Sequence, residues 1–532
     1  MSASGFSSIA VAARTHPAEY RLHKYWARKP HNVVRRVLEA CGVGPGALVV
    51  DPCCGSGVPL SEAALLGATC VGIDVNPVAV ELTRTTLDPP PADDYLRAVG
   101  PLLDQLDREF GARFDVGGRS IRYAVHATVV ECRGCHARVS AERARRRGRT
   151  YTCPHCTARL YFNLENLVAT EELCAVLADG SRTDAPTTPP AEVERGGAAG
   201  DHELEANSRI LAFPGMRSRA LFSPRCFAVL SAFAERAGSL PERVRAAARL
   251  TLTASVAQCS RLVAYRNDLT TGGPAWTVPG FWVPPLHLET NPLVHLRSRA
   301  RRFATGLASL AALEGRGTRH EVHLGDSRKV VEAGILGGRR ASVVFFDPPY
   351  GDSVPYLEFS SLWNGFLGNV PDPGLDIAVS NRTRGDGTWE RYREGLIEMV
   401  TSLRAALDAD GCFIVTFNNK DLRAWRALLE ALQLADLGCR GAFYQHPAVV
   451  STKAQLAPEG SYVGDIYAAF APADTKPAGR AAAVSAVRRA LETTGRSDDA
   501  TRQRRALLEL VRANVAAAAL DDMPSLFAAA GR

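Results

Sequence analysis

The sequence lacks any apolar run long enough to cross a bilayer, and the segment Met1–Arg21 lacks the continuous apolar stretch of a signal peptide. We therefore expect an intracellular, cytoplasmic protein with no membrane partner. The sequence also lacks a strong charge imbalance, because 63 Lys and Arg against 56 Asp and Glu leave a formal net charge of +7. Overall charge does not identify a nucleic-acid partner, so only local clusters of charge can.

A disulfide framework is not expected either. The 13 cysteines are an odd number, and most of them are scattered through apolar or mixed segments. Reduced thiols are the simpler interpretation for these. Cys53 and Cys54 in particular are interpreted as small apolar packing residues.

Short apolar runs that end in turns predict the strands of an α/β fold. Near the start, strands are predicted at Ala47–Asp51 and Thr69–Asp74. Regular patterning returns later, with strands predicted at His320–Leu324, Ala341–Phe346 and Gly411–Phe417. These strands can still form one sheet, because parallel strands need crossover connections in any case.

At 532 residues the chain exceeds what one hydrophobic core usually serves, while 46% hydrophobic and 22% charged residues are typical of globular proteins. The two halves of the α/β domain are expected over 1–95 and 311–472. The other segments are an insertion with two CxxC pairs (96–178), a flexible Pro/Gly/Thr/Ala-rich linker (179–215), a helical subdomain (216–310) and a helical C-terminal tail (473–532).

A glycine-containing loop, DPCCGSG over Asp51–Gly57, lies where the first predicted strand ends and a helix begins. Gly55 and Gly57 would let the backbone approach a ligand closely at the carboxyl edge of the sheet. Such a loop alone is often only a structural turn. Asp74 ends the next strand, however, where an acid is well placed to accept hydrogen bonds from ribose hydroxyls, so the two features together predict a ribose-containing ligand.

A second motif, DPPY over Asp347–Tyr350, directly follows the apolar strand SVVFF. Two prolines restrict the backbone and remove two donors, which leaves a carboxylate, free carbonyls and an aromatic ring at a strand end. An exocyclic base amine is a poor nucleophile because its lone pair is delocalised into the ring. Accepting its hydrogens on Asp347 and a backbone carbonyl would localise that pair, while Tyr350 stacks on a flipped base.

These two motifs resemble motif I (typically DPFxGSG) and motif IV of the amino-group DNA methyltransferases, which are class I enzymes that use S-adenosylmethionine. Upstream, HKYWARKP over His23–Pro30 resembles their motif X. Gly325-Asp326 resembles the position that contacts the cofactor adenine. Cys53 departs from the family pattern, which usually has Phe there, and this removes an aromatic contact near the cofactor.

The resemblance implies a class I methyltransferase fold, with a Rossmann-like sheet that is split in sequence by a zinc-ribbon insertion and a helical subdomain. It implies direct transfer of the methyl group to a base amine without a covalent enzyme–base intermediate, and the Asp in DPPY favours adenine N6. The implied cofactor-binding residues are Lys29, Pro30, Asp51, Gly55, Gly57, Asp74 and Asp326. The implied catalytic residues are Asp347, Pro348, Pro349 and Tyr350. The segment after DPPY, with Tyr356 and Trp363, resembles a lid beside the flipped base.

Two CxxC pairs, Cys132 with Cys135 and Cys153 with Cys156, are spaced as in a zinc ribbon. Four thiolates can close a tetrahedral structural zinc site, which leaves no open position for catalysis. The neighbouring histidines are interpreted as solvated rather than as ligands. The sequence therefore predicts a structural zinc ion in addition to S-adenosylmethionine.

An arginine cluster lies between the two CxxC pairs and consists of Arg143, Arg145, Arg146, Arg147 and Arg149. A solvated basic loop would explain such a run by itself. One metal site formed by the cysteine pairs on both sides of the loop would hold the loop in place, which favours contact with nucleic-acid phosphates. We therefore predict that these arginines bind nucleic acid.

Three alternatives to an adenine-N6 DNA methyltransferase stay open. The target could be cytosine N4 of DNA, or a base amine of RNA, since RNA enzymes share DPPY and a similar motif I. The chain could also be an inactive zinc-dependent DNA-binding scaffold, against which the intact acids Asp51, Asp74, Asp326 and Asp347 argue. Double-stranded DNA is the expected partner, and a restriction or phage-defence setting with partner proteins fits the resemblance.

Overall fold

A computed structural model describes residues 3–184, 197–265, 280–311, 320–380, 389–448, 463–473, 476–494 and 498–531. The helices are α1 (Ala3–Ser7), α2 (His31–Ala40), α3 (Val58–Leu65), α4 (Pro77–Leu87), α5 (Ala92–Phe110), α6 (Pro224–Gly238), α7 (Glu242–Val256), α8 (Pro292–Ser309), α9 (Tyr356–Leu367), α10 (Trp389–Ala406), α11 (Leu422–Leu434), α12 (Arg480–Thr494), α13 (Asp499–Arg512) and α14 (Met523–Ala530). Within the described ranges, no helix combines the length and the apolar character needed to cross a membrane.

The strands are β1 (Leu48–Asp51), β2 (Thr69–Asp74), β3 (Asp115–Val116), β4 (Arg119–Glu131), β5 (Arg138–Ser140), β6 (Arg145–Arg147), β7 (Thr150–Thr152), β8 (Arg159–Leu160), β9 (Leu167–Leu177), β10 (Arg182–Thr183), β11 (Leu286–Thr290), β12 (His320–Leu324), β13 (Ala341–Phe346), β14 (Leu407–Phe417), β15 (Leu437–Gln445) and β16 (Asp465–Pro472). Three of them, β2, β12 and β13, have the bounds predicted from the sequence. β14 begins at Leu407, before the predicted Gly411. The prediction missed these first residues because Asp408 and Asp410 interrupt the apolar pattern.

The central sheet has seven strands in the order β12-β2-β1-β13-β14-β16-β15. The strands from β12 to β14 are parallel, and β16 is antiparallel to both of its neighbours. The order reverses between β1 and β13, where a doubly wound sheet opens a crevice for ligands. This strand order, with one antiparallel strand near the edge, is that of the class I methyltransferase fold, so the predicted fold class is confirmed.

Helices cover both faces of this sheet. On one face α2, α3 and α4 share a continuous core with α5 to α9, so the helical region predicted over 216–310 packs directly on the methyltransferase sheet. On the other face α10 and α11 pack with α12, α13 and α14. Leu507, Leu510 and Leu526 of the C-terminal helices are buried there, so the predicted tail is part of the domain core.

A second, antiparallel sheet is built from two distant segments. The long strands β4 and β9 pair with each other, and β11 joins the other edge of β4. The sequence did not predict these strands because polar residues interrupt their apolar pattern. One of them, Glu289, is buried and paired with Arg225 (2.7 Å) and His126 (2.7 Å), which compensates its charge.

The prediction of a flexible linker over 179–215 is wrong for the second part of that segment. Residues 185–196 lie outside the described residues. After them, Leu204, Ile210 and Ala212 are buried in the core shared with the sheet helices. Apolar side chains that are spaced irregularly can still fill a core, which composition alone does not reveal.

Candidate active site

A cleft lies at the carboxyl ends of β1, β2 and β13, where the strand order reverses. Its polar lining is rich in acids, and its apolar lining includes aromatic side chains. The predicted site residues that line it are Lys29, Asp51, Gly55, Asp74, Asp326, Asp347 and Pro349. The structure thus brings the glycine loop and the DPPY motif to one cleft, although about 290 residues separate them in sequence.

The glycine loop needs glycine at both predicted positions. Gly55 and Gly57 have positive φ angles of 49° and 73°. A Cβ atom on Gly55 would lie 3.0 Å from Cε1 of Tyr25, and one on Gly57 would lie 2.9 Å from Oγ1 of Thr83. Both backbone conformation and close packing therefore exclude larger residues.

Asp74 is held at the end of β2 by backbone donors. Its Oδ2 accepts a hydrogen bond from the Gly55 N–H (2.9 Å), and its Oδ1 accepts one from Asn76 N–H (2.9 Å). Each carboxylate oxygen keeps a further acceptor site for a ligand hydroxyl. Burial raises the pKa of Asp74 to about 6, although these backbone hydrogen bonds counteract the rise.

Asp51 and Asp326 differ in their surroundings. Burial raises the pKa of Asp51 well above its usual value, and the nearby Asp347 and Asp74 raise it further. Asp326 is also partly buried, but hydrogen bonds from Arg328 lower its pKa below the usual value. Arg328 donates to both oxygens of Asp326, at 2.9 Å from Nε and 2.6 Å from Nη2. A cofactor amine at Asp326 would have to share this carboxylate with Arg328.

Asp347 has one carboxylate oxygen that is held by three donors. Its Oδ1 accepts hydrogen bonds from Thr416 Oγ1 (2.6 Å) and from the Tyr350 hydroxyl (2.8 Å). Lys29 Nζ lies 3.2 Å from the same oxygen. In the part of the chain that the structure describes, no hydrogen bond or ion pair reaches Oδ2, which leaves this oxygen for a ligand.

The other residues of DPPY support this arrangement. The Tyr350 ring is buried against Phe417, with ring centroids 5.0 Å apart, so in this conformation it contacts the site through its hydroxyl and not through an open stacking face. Pro348 is buried, and the Pro349 carbonyl accepts a hydrogen bond from the Tyr392 hydroxyl (2.8 Å). The motif is therefore fixed from behind by its neighbours.

The structure places Lys29, for which a cofactor-binding role was predicted, in the cleft beside Asp347. Lys29 Nζ also lies 3.4 Å from Asp465 Oδ2. Pro30 precedes α2 and does not line the cleft. Of this pair, Lys29 contacts the DPPY motif, whereas Pro30 precedes the first turn of α2.

Sequence reasoning missed several site residues. Tyr25 and Trp26 form an aromatic wall of the cleft together with Tyr356, which was already singled out in the segment after DPPY. Trp26 packs on the buried Trp363, with ring centroids 4.8 Å apart. Thr416 is the penultimate residue of β14, which pairs with β13, so the adjacency of these strands would have identified it. Asp465 begins β16, and only the antiparallel direction of that strand brings its first residue to this edge.

The four predicted zinc ligands converge. The Sγ atoms of Cys132, Cys135, Cys153 and Cys156 all lie within 4.8 Å of one another. The two CxxC turns have matching geometry, because Gly134 N–H and His155 N–H each point at the first cysteine of their turn, both at 3.4 Å. The thiolate set and its closeness fit a tetrahedral structural zinc ion.

The arginine cluster forms an exposed hairpin edge on this ribbon. Arg145, Arg146 and Arg147 make up β6, and all three side chains are exposed. Arg149 is exposed as well, whereas Arg143 donates to Glu171 at 2.7 Å and is partly neutralised. The ribbon thus presents several cations to solvent on a strand next to the cysteine cluster.

Comparison with known proteins identifies no family, since no family model and no curated protein matches the chain. Among solved structures, the rRNA methyltransferase aviRa from Streptomyces viridochromogenes is similar at 12% identity and a TM-score of 0.27, over 86% of this chain and 90% of that chain. A second structure of aviRa gives 12% identity and a TM-score of 0.24, over 79% and 84%. The fold assignment therefore rests on the strand order of this protein.

We expect one zinc ion per chain when the protein is purified without chelator. Cys132→Ser and Cys156→Ser should each lose most of this zinc, because three thiolates rarely close a structural site. Metal analysis by mass spectrometry checks this, with Cys439→Ser as the control that keeps its zinc. A wild type without zinc, or an unchanged content in Cys132→Ser, contradicts the assignment.

We expect the affinity for S-adenosylmethionine to fall as the pH is lowered from about 7.5 to about 5.5. The reason is that Asp74, whose pKa is raised to about 6, accepts ribose hydrogen bonds best when ionised, and protonation removes this acceptor. Asp74→Asn should bind about tenfold more weakly or worse, with a shallower pH dependence. Isothermal titration calorimetry tests this, with the exposed Asp499→Asn as control, and an affinity that is flat with pH in the wild type would refute it.

Proposed function

We propose that the protein transfers the methyl group of S-adenosylmethionine to an exocyclic amine of a base in DNA, with adenine N6 as the preferred target. The observation that carries the proposal is the state of Asp347. Three donors hold its Oδ1, Oδ2 has no hydrogen bond or ion pair within the described residues, and Asp347 lines the cleft formed with the glycine loop. A fixed hydrogen-bond acceptor beside the cleft can orient an amine for reaction.

The residues of the cleft fit S-adenosylmethionine, which supplies an electrophilic methyl group when bound. This cofactor carries a sulfonium and an ammonium group, and the cleft collects acids from four strand ends or loops, including Asp51, Asp74 and Asp326. The apolar lining from Ile377 and Met399 suits the rest of the molecule. The raised pKa values of Asp51 and Asp74 support the same fit, because a bound cation would relieve the cost of ionising them.

The DPPY residues would orient the target amine. Oδ2 of Asp347 accepts one amine hydrogen. A backbone carbonyl of the motif accepts the other. Both contacts draw the nitrogen lone pair out of the ring plane and toward the methyl group.

The proton balance also involves Asp347. Transfer would form a bond between the nitrogen and the methyl carbon and break the bond between that carbon and the sulfonium sulfur, which would leave a neutral thioether. The amine would become cationic and would have to lose one proton to return to neutral. The ionised carboxylate of Asp347 lies where it can take that proton. No thiol or hydroxyl nucleophile is required, which agrees with the burial of Cys54 and the raised pKa of Cys53.

Binding of nucleic acid is supported by the arginine hairpin on the cysteine ribbon, since exposed guanidinium groups suit phosphates. The choice between adenine and cytosine, and between DNA and RNA, rests on the resemblance of DPPY and of the upstream Lys-Pro block. A restriction or phage-defence partner stays a prediction.

We expect the purified protein to transfer labelled methyl groups to unmethylated genomic DNA and to yield N6-methyladenine in nucleoside mass spectrometry. Asp347→Asn should reduce kcat by about 10²–10⁴-fold, because it removes the negative acceptor, while cofactor affinity changes little. The exposed Asp410→Asn on β14 is the matched control and should retain full activity.

Each outcome of this assay decides between the alternatives. N4-methylcytosine would keep the mechanism and change the base, and transfer only to RNA would reject the DNA assignment. An Asp347→Asn variant with wild-type activity would reject the role of the carboxylate. A protein that binds the cofactor without any transfer would favour the inactive scaffold.

We expect the arginine hairpin to contribute to DNA binding through phosphates. Replacing Arg145 and Arg147 by Ala should weaken binding similarly for all DNA sequences. It should also reduce the slope of log affinity against log salt concentration by about 1–2, since each phosphate contact contributes about 0.9. Fluorescence anisotropy over a salt series checks this, with the exposed pair Arg301 and Arg302 on α8 replaced by Ala as control. An unchanged slope for the hairpin variant would show that it does not contact phosphate.

A further inference from the structure

A buried lysine lies between two carboxylates at the predicted target-base side of the cleft. Lys29 is only 4% exposed, and its Nζ is 3.2 Å from Asp347 Oδ1 and 3.4 Å from Asp465 Oδ2. The same Nζ donates to the Ala27 carbonyl (3.2 Å) and lies 4.8 Å from the centre of the Tyr350 ring. Burying an ammonium group costs desolvation energy, and these partners offset part of that cost. The position of Lys29 between two carboxylates indicates a role at this site.

The task follows from the state that Asp347 must have. A protonated carboxyl group is a weak acceptor for amine hydrogens and cannot take a proton. Burial raises the pKa of Asp347, and the neighbouring Asp465 raises it further, whereas Lys29, Thr416 and Tyr350 lower it. Lys29 is the only full positive charge among the named neighbours that lower the pKa, so it contributes most directly to keeping the carboxylate ionised.

The contacts also fix the direction of the carboxylate. Lys29, Thr416 and Tyr350 all reach Oδ1. With Oδ1 held by these three groups, Oδ2 is the oxygen left for a ligand, since no hydrogen bond or ion pair reaches it within the described residues. Two hydroxyl groups and one ammonium group thus hold Oδ1 in place.

Asp465 has a separate effect. Without it, the pair of Lys29 and Asp347 would be neutral overall and a poor acceptor for a proton. With it, the group of two carboxylates and one ammonium carries a net charge of −1, so uptake of one proton makes the group neutral. The antiparallel direction of β16 is what brings Asp465 to this edge of the sheet.

We infer that Lys29 and Asp465 are positioning residues for methyl transfer: Lys29 holds Asp347 ionised with Oδ2 toward the target amine, and Asp465 preserves the basicity of the group by sharing Lys29. This inference rests on the proposed function, because it assigns a role in the same reaction. Neither residue touches the amine itself.

Other titratable groups face Asp347 and must be considered in any pH experiment. They are Tyr350 of the DPPY loop, Asp51 at the end of β1, Cys53 of the glycine loop, Tyr356 on α9 and Tyr467 on β16. Burial raises the pKa of each tyrosine above its usual value, so they stay neutral around pH 7. Asp51 is present in wild type and variants alike, so differences between the pH profiles report on the residues that were changed.

The test is the pH dependence of kcat for Lys29→Met and Asp465→Asn. Removing the ammonium should move the acid limb of the Lys29→Met profile to higher pH by about one unit or more, since the pKa of Asp347 is no longer lowered by the opposite charge. Removing a negative charge should move the limb of Asp465→Asn to lower pH, with a smaller maximal rate because the group is less basic. Lys29→Arg, which keeps the charge, should restore the position of the limb in part.

Opposite shifts are the result that a merely structural role does not produce, because such a role lowers the rate at every pH. The exposed Lys476→Met is the control and should follow the wild-type profile. Limbs of Lys29→Met and Asp465→Asn that coincide with the wild type would overturn the inference, as would shifts of the same sign.

Failure of the proposed function is distinguished by a measurement without substrate. The unfolding temperatures of Lys29→Met, Asp347→Asn and the double variant form a double-mutant cycle. We expect the double variant to lose less than the sum of the single losses, because Asp347→Asn removes the charge that Lys29→Met leaves unpaired. Additive losses would overturn the inference even if the wild type is active, whereas an inactive wild type with clear coupling would reject only the proposed reaction.

Discussion

Parallel pairing of β1 with β13 is the constraint on which the rest of the site depends. Val49 pairs with Val343 and Val50 with Val344, so two strands that are nearly three hundred residues apart end side by side. Only this pairing sets the glycine loop against the DPPY motif at the reversal of strand order. The residues inserted between the two strands must fold so that the chain comes back to β1. The inserted helices α5 to α9 share a continuous core with the helices on the sheet, which fixes the insertion in that position.

Part of this arrangement could be predicted from the sequence because it is local. An apolar run that ends in an acid and a turn predicts a strand and its carboxyl end, which was sufficient for β2, β12 and β13. The clustering of the four cysteines was also predictable, since metal ligands have characteristic spacings. Asp465 was not, because its place depends on the direction of β16, and the strands β4 and β9 were hidden by polar residues whose buried partners are far away in sequence.

The buried ion network of the second sheet joins the ribbon to the helical region. Glu289 on β11 pairs with Arg225 at the start of α6 and with His126 on β4. Cys132 directly follows the end of β4, so the metal site continues from a strand that this network anchors. Removing one partner of such a network typically costs about 3–5 kcal/mol, since the remaining charge stays buried. The exposed arginines of β6 therefore belong to a ribbon that continues from the anchored strand β4.

Electrostatics explains why the N-terminal segment must pack before the site is complete. The acids that would attract a cationic cofactor also oppose the ionisation of one another, as the raised pKa of Asp51 beside Asp347 and Asp74 indicates. Lys29 compensates part of this repulsion, and the segment that carries it is held by aromatic packing of Trp26 on Trp363 of α9. His23 of the same segment contacts Thr253 on α7 at 3.0 Å. The segment thus links the helices on one face of the sheet to the acid at its edge, and local unfolding of the segment would both unlock Asp347 and raise its pKa.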